Sequence, residues 1–131
     1  MELKDKVAII TGGSGGIGKA MAAAFLQEGA KAVVLADLDE QAVQDAAQSI
    51  DPSGLRCVGR ACNVTHEKAV QTLTQTTIQP YGQVDVFCSN AGAGATGLLT
   101  DAANEVWQQQ WELHVMSHLY AARAVLPGMI E

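Results

Sequence analysis

Two hydrophobic periods alternate along this chain. Apolar runs of β type occupy residues 7–10, 32–36, 56–61 and 84–88. The first, second and fourth are nearly continuous, as strands buried on both faces should be. Between them, residues 16–28, 40–50, 66–79 and 104–126 carry helical patterns. Strand and helix in alternation predict a parallel sheet with helices on both faces and about four strands. Local signals mark the joints. Gly29 is placed to end the first helix in a left-handed conformation, and Asp51-Pro52-Ser53-Gly54 forms a turn cluster. Thr65 is placed to cap the third helix, with Lys68 where a capping box wants Glu, and Pro80-Tyr81-Gly82 is expected to break that helix. No linker, repeat or low-complexity segment intervenes, so residues 1–131 read as one domain.

The last helical segment is apolar over more than one stripe, from Val106 and Trp107 through Trp111, Val115 and Leu119 to Leu126. One face is expected on the sheet. The other is expected to meet a further part of the domain or a second subunit, with a tolerated apolar surface as the alternative. Pro127 is expected to kink or stop this helix.

The joint between the first strand and first helix carries chemistry. Thr11-Gly12-Gly13-Ser14-Gly15-Gly16-Ile17-Gly18 fits both GxGxxG and GxxxGxG. Strand, glycine turn, helix sets backbone N–H groups and a helix N-terminus against a phosphate. Asp37 ends the second run, 19 positions after Gly18. A carboxylate there accepts from ribose hydroxyls and repels a 2′-phosphate. No Arg or Lys lies in the glycine turn or directly after Asp37, so NAD is favoured over NADP. Two further strand ends lead into Asn63-Val64 and Ser89-Asn90-Ala91-Gly92, where amide and backbone groups meet small residues.

Composition narrows the classes. With 131 residues, 48% hydrophobic and 17% charged, the chain is long and apolar enough for a core. The net charge of −6 comes with no basic patch to suit nucleic acid. No apolar run is long enough to span a membrane, and the charged start, Met1 to Lys6, shows no secretory signal. Cys57, Cys62 and Cys88 form no CxxC pair and read as reduced core thiols of a cytoplasmic protein.

Taken together, the glycine turn, Asp37, Asn63-Val64, Ser89-Asn90-Ala91-Gly92 and Leu126-Pro127-Gly128-Met129 closely resemble the short-chain dehydrogenase/reductase family over essentially the whole chain. The resemblance implies a Rossmann fold and NAD(P)-dependent exchange between alcohols and carbonyls. It places cofactor binding on Gly12, Ser14, Gly15, Gly16, Ile17, Gly18, Asp37, Leu38, Asn63, Val64, Asn90, Ala91 and Gly92. This chain has Asn63 where the family usually has Asp, and Ser89 where it has a second Asn. The position of a catalytic-site Asn in the family's long helix falls on His114, which reads either as a relay group or as a packing histidine. His114 and His118 stand four apart, but Glu112 does not complete an HExxH zinc motif, and no metal is expected.

In the family, a Ser and a Tyr-x-x-x-Lys perform the chemistry. Neither Tyr81 nor Tyr120 has Lys four residues on, so no catalytic residue is assigned. The resulting expectation is an NAD-dependent oxidoreductase for a small alcohol or carbonyl, present as its cofactor-binding half. Its sheet order would be 3-2-1-4 with right-handed crossovers. The fourth strand would lie at an edge, and the chain would be marginally stable or self-associate as a homo-oligomer through the 104–126 helix. Two alternatives remain: a non-catalytic nucleotide-binding or interaction module, and a Rossmann methyltransferase, against which Asn90-Ala91-Gly92 argues.

Overall fold

The computed structural model describes residues 1–131. The chain runs β1 (Val7–Thr11), α1 (Gly16–Gln27), β2 (Ala32–Asp37), α2 (Glu40–Ile50), β3 (Cys57–Ala61), α3 (Glu67–Tyr81), β4 (Val86–Cys88), α4 (Asn104–Trp111), a π-helical turn (Glu112–Met116) and α5 (Ser117–Ile130). The four strands form one parallel Rossmann-type sheet in the order β3-β2-β1-β4. Val7 pairs with Ala32, Val33 with Cys57, and Ala8 with Val86.

The period of two along β1 and β2 divides the core into two layers. Ala8, Ile10, Val33 and Leu35 face one way and pack with Ala22 of α1 and Val43, Ala46 and Ala47 of α2. Ile9, Val34 and Ala36 face the other way, against Val70 and Leu73 of α3 and Ala121 and Val125 of α5. Every residue of β1 is buried, because β1 has neighbours on both edges and both faces. By contrast, β4 lies at the sheet edge, as expected, pairing with β1 alone, and so is only half-buried although its apolar run reads as buried on both faces. It is also shorter than its apolar run. Val84 is buried but precedes the strand, and Asp85 pins the entry: its carboxylate accepts from the Val7 N–H at 2.8 Å and the Lys6 ammonium at 3.3 Å.

The joints follow from side-chain and glycine chemistry. Gly29, at φ +86°, closes α1. Its N–H donates to the Leu26 carbonyl and that of Ala30 to Phe25, the paired bonds of a Schellman cap. The expected Thr65 cap does not form. Asn63 Oδ1 takes both the N–H and the hydroxyl of Thr65, in an Asx turn, and α3 starts after His66 with no side-chain cap. The helix α3 ends within the Pro80-Tyr81-Gly82 cluster as expected, but Pro80 is itself helical and Tyr81 is the last helical residue. Gly82, at φ +90°, ends it instead, and Lys31 Nζ donates to the Tyr81 carbonyl. Likewise α5 runs through Pro127 to Ile130. A proline in a last turn removes one N–H from a helix already near its end.

Beyond its ladder with β2, two contacts fix β3 and the turn before it. Gly59 passes so close under α2 that a Cβ there would lie 2.4 Å from the Val43 carbonyl oxygen, a backbone atom that cannot swing aside. Asp51 gathers the turn before β3. Its carboxylate accepts from the Ser53 hydroxyl at 2.6 Å and from the N–H groups of Arg56 at 2.7 Å and Cys57 at 3.1 Å. Arg56 in turn donates to the carbonyls of Leu26 and Ala30.

The Ser53 hydroxyl and the Arg56 N–H, opposed by desolvation, hold the Asp51 carboxyl down to about 2 from 3.8. A carboxyl depressed in the folded state stabilises the fold above its unfolded pKa and loses that contribution as pH falls through the folded one. An Asp51→Ala variant should therefore melt below the parent at pH 6. The gap should shrink between roughly pH 4 and pH 2 and close below that. Melting curves of both proteins across that range check it; a gap independent of pH would contradict the clamp.

Candidate functional site

A cleft of about 820 Å³ opens across the carboxyl ends of β1, β2, β3 and β4. That volume lies in the range of small-molecule and cofactor sites, and the location is where open α/β sheets take ligands. Its wall brings together Gly12, Ser14, Gly15, Gly16, Ile17, Gly18, Asp37, Leu38, Asn63, Val64, Asn90, Ala91 and Gly92, every site residue expected from the sequence.

The glycine turn sets α1 directly over the end of β1. Gly12, at φ +67°, makes the bend, and a Cβ on it would meet the Ala91 backbone at 3.0 Å. A Cβ on Gly18 would lie 2.4 Å from the Gly12 carbonyl oxygen. Only hydrogen at that position lets the first turn of α1 settle onto the loop. No side chain caps α1, so the N–H groups of its first turn remain free toward the cleft. Gly16 has open space where a side chain would stand. The turn thus offers unpaired donors at the positive end of a helix, a set that suits a phosphate or diphosphate.

Asp37 stands beside this turn at the end of β2. Its Oδ2 accepts from the N–H of Ser14 at 3.0 Å and from the Ser14 hydroxyl at 2.5 Å, and its Oδ1 accepts from the Leu38 N–H at 2.8 Å. Burial works against its charge. The Ser14 hydroxyl, the Ser14 N–H and the Leu38 N–H outweigh burial and hold the carboxyl below its ordinary value. No Lys or Arg lines the cleft. Ile17 and Leu38 present exposed apolar side chains at the rim.

On the far wall, Asn63 spends its carbonyl oxygen on Thr65, which leaves its amide N–H groups as the free end. The loop after β4 is tied to β1 by Thr11, which the sequence reading did not count as a site residue. The Thr11 hydroxyl accepts from the N–H groups of Asn90 and Ala91 at 3.0 and 3.1 Å and donates to the Cys88 carbonyl. Asn90 Nδ2 returns a bond to the Thr11 carbonyl at 3.0 Å. The signal for this tie was a hydroxyl residue ending a strand otherwise wholly apolar.

The cleft continues over Ala93, Gly94, Ala95 and Thr96 to Val106, Gln109, Gln110 and Leu113. There the helix expected to run unbroken from 104 to 126 carries its π turn. One extra residue is accommodated, and the Ser117 hydroxyl donates back to the Leu113 carbonyl. The bulge aims His114 at the loop. Its Nε2 lies 3.0 Å from the Ala93 carbonyl, and a Cβ on Gly92 would meet the imidazole at 2.9 Å. His114 therefore packs on the backbone beside the cleft without lining it.

The same arrangement recurs in known proteins. The sequence pattern described as short chain dehydrogenase matches residues 6–131. An uncharacterized oxidoreductase of Staphylococcus saprophyticus is 34% identical over 131 residues, a match covering 99% of this chain and 56% of that protein. One from Staphylococcus aureus strain USA300 is 33% identical over 129 residues, covering 98% and 54%. The chain thus spans about half the length of the curated relatives it matches. L-sorbose reductase of Gluconobacter frateurii, solved with NADPH and L-sorbose, superposes with a TM-score of 0.89 at 36% identity, over 98% of this chain and 50% of that one. A short chain dehydrogenase/reductase of Burkholderia phymatum, solved in complex with NAD, gives 0.90 at 31% identity, over 97% and 45%. With the family pattern matched over residues 6–131, the chain belongs to the short chain dehydrogenase family.

Proposed function

We propose that residues 1–131 form the NAD-binding domain of an oxidoreductase that interconverts an alcohol and a carbonyl group on a small molecule. The observation that carries this reading is Asp37: an ionised carboxylate held at the ribose end of a cleft that has free helical N–H groups and no cation. The first-turn N–H groups at Gly16, Ile17 and Gly18 take the diphosphate. Asp37 takes the adenosine ribose, and Leu38, Asn63 and Val64 flank the adenine. Asn90, Ala91 and Gly92 give the nicotinamide end a wall without bulk, its backbone fixed by Thr11. Bound there, the nicotinamide would supply hydride exchange. The relatives divide on cofactor, since the Gluconobacter protein was solved with NADPH and the Burkholderia protein with NAD. In this chain an anion stands where a 2′-phosphate would need a cation.

Residues 1–131 hold no general acid/base for the reaction. Tyr120 donates to Glu112 at 3.4 Å, and desolvation together with the Glu112 carboxylate pushes its phenol above the ordinary value, the opposite of what a base near neutrality needs. Tyr81 lies at the end of α3, away from the cleft. The free thiols of Cys57, Cys62 and Cys88 suit a reducing, cytoplasmic setting.

A second reading, a nucleotide-binding interaction module, draws on the outer face of the long helix. Trp107, Trp111, Val115 and Leu119 are 50%, 54%, 41% and 39% exposed along one side. An apolar stripe of that kind suits association with a second copy in either reading.

Three outcomes are expected of the purified 131-residue polypeptide. In fluorescence titrations, NADH binds at least about tenfold tighter than NADPH, and Asp37→Ser combined with Leu38→Arg reverses the order. Equal affinity for the two would sink the assignment to NAD. With NAD and a panel of alcohols, no sustained NADH formation occurs; turnover would show that this segment carries its own acid/base. By size-exclusion chromatography the chain elutes above monomer mass and Trp111→Glu returns it to monomer, whereas a sharply melting parent monomer would refute self-association.

A further inference from the structure

The outer edge of β3 is open. The Val33 N–H donates to the Arg56 carbonyl at 2.7 Å, and the Cys62 N–H donates to the Asp37 carbonyl at 2.8 Å. In a parallel ladder of this register, residues 56, 58, 60 and 62 turn their backbone groups toward β2, and Cys57, Gly59 and Ala61 turn theirs away. No strand lies beyond β3 to meet them. The Asp51 carboxylate takes the Cys57 N–H at 3.1 Å, so the edge is closed where it begins. From the Cys57 carbonyl through Gly59 to the Ala61 N–H it has no partner. Gly59 is half-buried and Ala61 is exposed.

Two grooves of about 390 Å³ each flank this edge. On the α3 side the lining includes Glu40, Arg60, Lys68, Thr72 and Thr76; on the α2 side it includes Gln44, Gln48, Val58 and Gly59, and Arg60 borders both. The two ion pairs of the molecule, Lys6 with Asp85 and Arg123 with Glu67, leave the exposed Arg60 and Lys68 unpaired. The acids nearby already have donors. Glu40 accepts from the Gln44 amide at 3.3 Å, and Asp51, in the second groove, accepts from Ser53, Arg56 and Cys57. A chain of net charge −6 thus carries two free cations beside an unpaired strand. Gly59, Arg60, Ala61 and Lys68 all lie outside the cleft lining, so nothing in this surface depends on which ligand the cleft takes.

We propose that the β3 edge is a docking surface for an extended acidic segment of a partner protein, which adds to the sheet beside β3. Backbone bonds to Gly59 and Ala61 hold the added strand. Its successive side chains alternate between the two faces, and so between the two grooves. Carboxylates at every second position meet Arg60 and Lys68, and small neutral side chains between them pass over Gln44 and Gln48. Charge argues against a second copy of this chain as the occupant. Two β3 edges paired about a two-fold axis bring the Arg60 side chains of both copies together, and like charges across a strand pair oppose pairing. The cations that turn away a like strand are the ones that select an acidic one.

The test is a 15N NMR titration of the 131-residue polypeptide with a short capped peptide of alternating glutamate and threonine, and with its lysine counterpart. The glutamate peptide is expected to shift the Gly59 and Ala61 amides and slow their exchange with solvent, while the lysine peptide leaves both unmoved. Arg60→Ala with Lys68→Ala should raise the dissociation constant of the glutamate peptide about tenfold, the scale of two exposed ion pairs. Arg60→Glu with Lys68→Glu should reverse the order of the two peptides. Ala61→Pro removes an N–H that faces away from β2, so it should abolish binding and leave the Val58 and Arg60 amides of the ladder in place. If that variant does not fold, the two charge variants decide alone. Equal binding of the two peptides, or of neither, overturns the proposal. So do shifts confined to the Arg60 and Lys68 side chains, which would reduce the site to an anion contact. Protection of Gly59 and Ala61 that rises with protein concentration, without peptide, would place a second copy on the edge and overturn it as well.

Discussion

The site depends on one steric constraint, the absence of a side chain at Gly18. The Gly12 carbonyl oxygen stands 2.4 Å from where a Cβ of Gly18 would be, so α1 can begin directly above the end of β1 only because that atom is missing. Three consequences follow from this approach. The first-turn N–H groups of α1 open over the sheet edge with no capping side chain between them and the cleft. Ser14 is brought within hydrogen-bond reach of Asp37 on the neighbouring strand. The bend at Gly12 passes against the Ala91 backbone, which joins the first strand end to the fourth. A helix displaced by one methyl group would disturb all three.

The cleft is ordered electrostatically from one end to the other. Net charge is −6, yet the middle of the site is a cluster of donors from a helix N-terminus. A carboxylate stands at one end and a wall of small residues at the other. Asp37 would be costly to keep ionised where it is, and the Ser14 and Leu38 donors offset that cost. Thr11 plays the matching part at the other end: one hydroxyl takes the N–H groups of Asn90 and Ala91 and gives its proton to the Cys88 carbonyl, which fixes the start of that loop. Groups at both ends are thus held by hydrogen bonds before a ligand binds, which lowers the ordering cost of binding.

Much of this was readable in the residues, and the part that was not has a common cause. The strands β1 and β2 declared themselves because burial on both faces leaves no polar position in Val7 to Ile10 or Ala32 to Ala36. The glycine turn and Asp37 were legible because their chemistry is local and their spacing follows from one strand–helix–strand unit. What escaped depends on partners distant in sequence. Gly59 looks like a weak strand residue until Val43 of α2 lies across it. The π turn at Glu112–Met116 leaves no mark in a sequence whose apolar positions suit a plain helix, and the groups its His114 meets, Gly92 and Ala93, are distant in sequence. Thr65 misled because its local preference was overridden by a neighbour, Asn63, which claimed its hydroxyl; in the Pro80-Tyr81-Gly82 cluster the stop came from Gly82 rather than Pro80.

The same contrast separates what holds the fold from what chooses the ligand. The two core layers and the sheet register are indifferent to which dinucleotide occupies the cleft; none of their residues beyond the strand ends reaches it. In the proposed function, choice rests on a few groups after β2 and in the glycine turn, where Ser14, Asp37 and Leu38 exchange three hydrogen bonds among themselves. These groups lie at the cleft rather than in the core, so exchanging them touches few packed contacts and leaves the scaffold standing. A substitution there can turn the site toward a phosphate while β1, β2 and the helices covering them keep their packing. A substitution at Gly18 or Gly59, by contrast, must move backbone before it can affect any ligand.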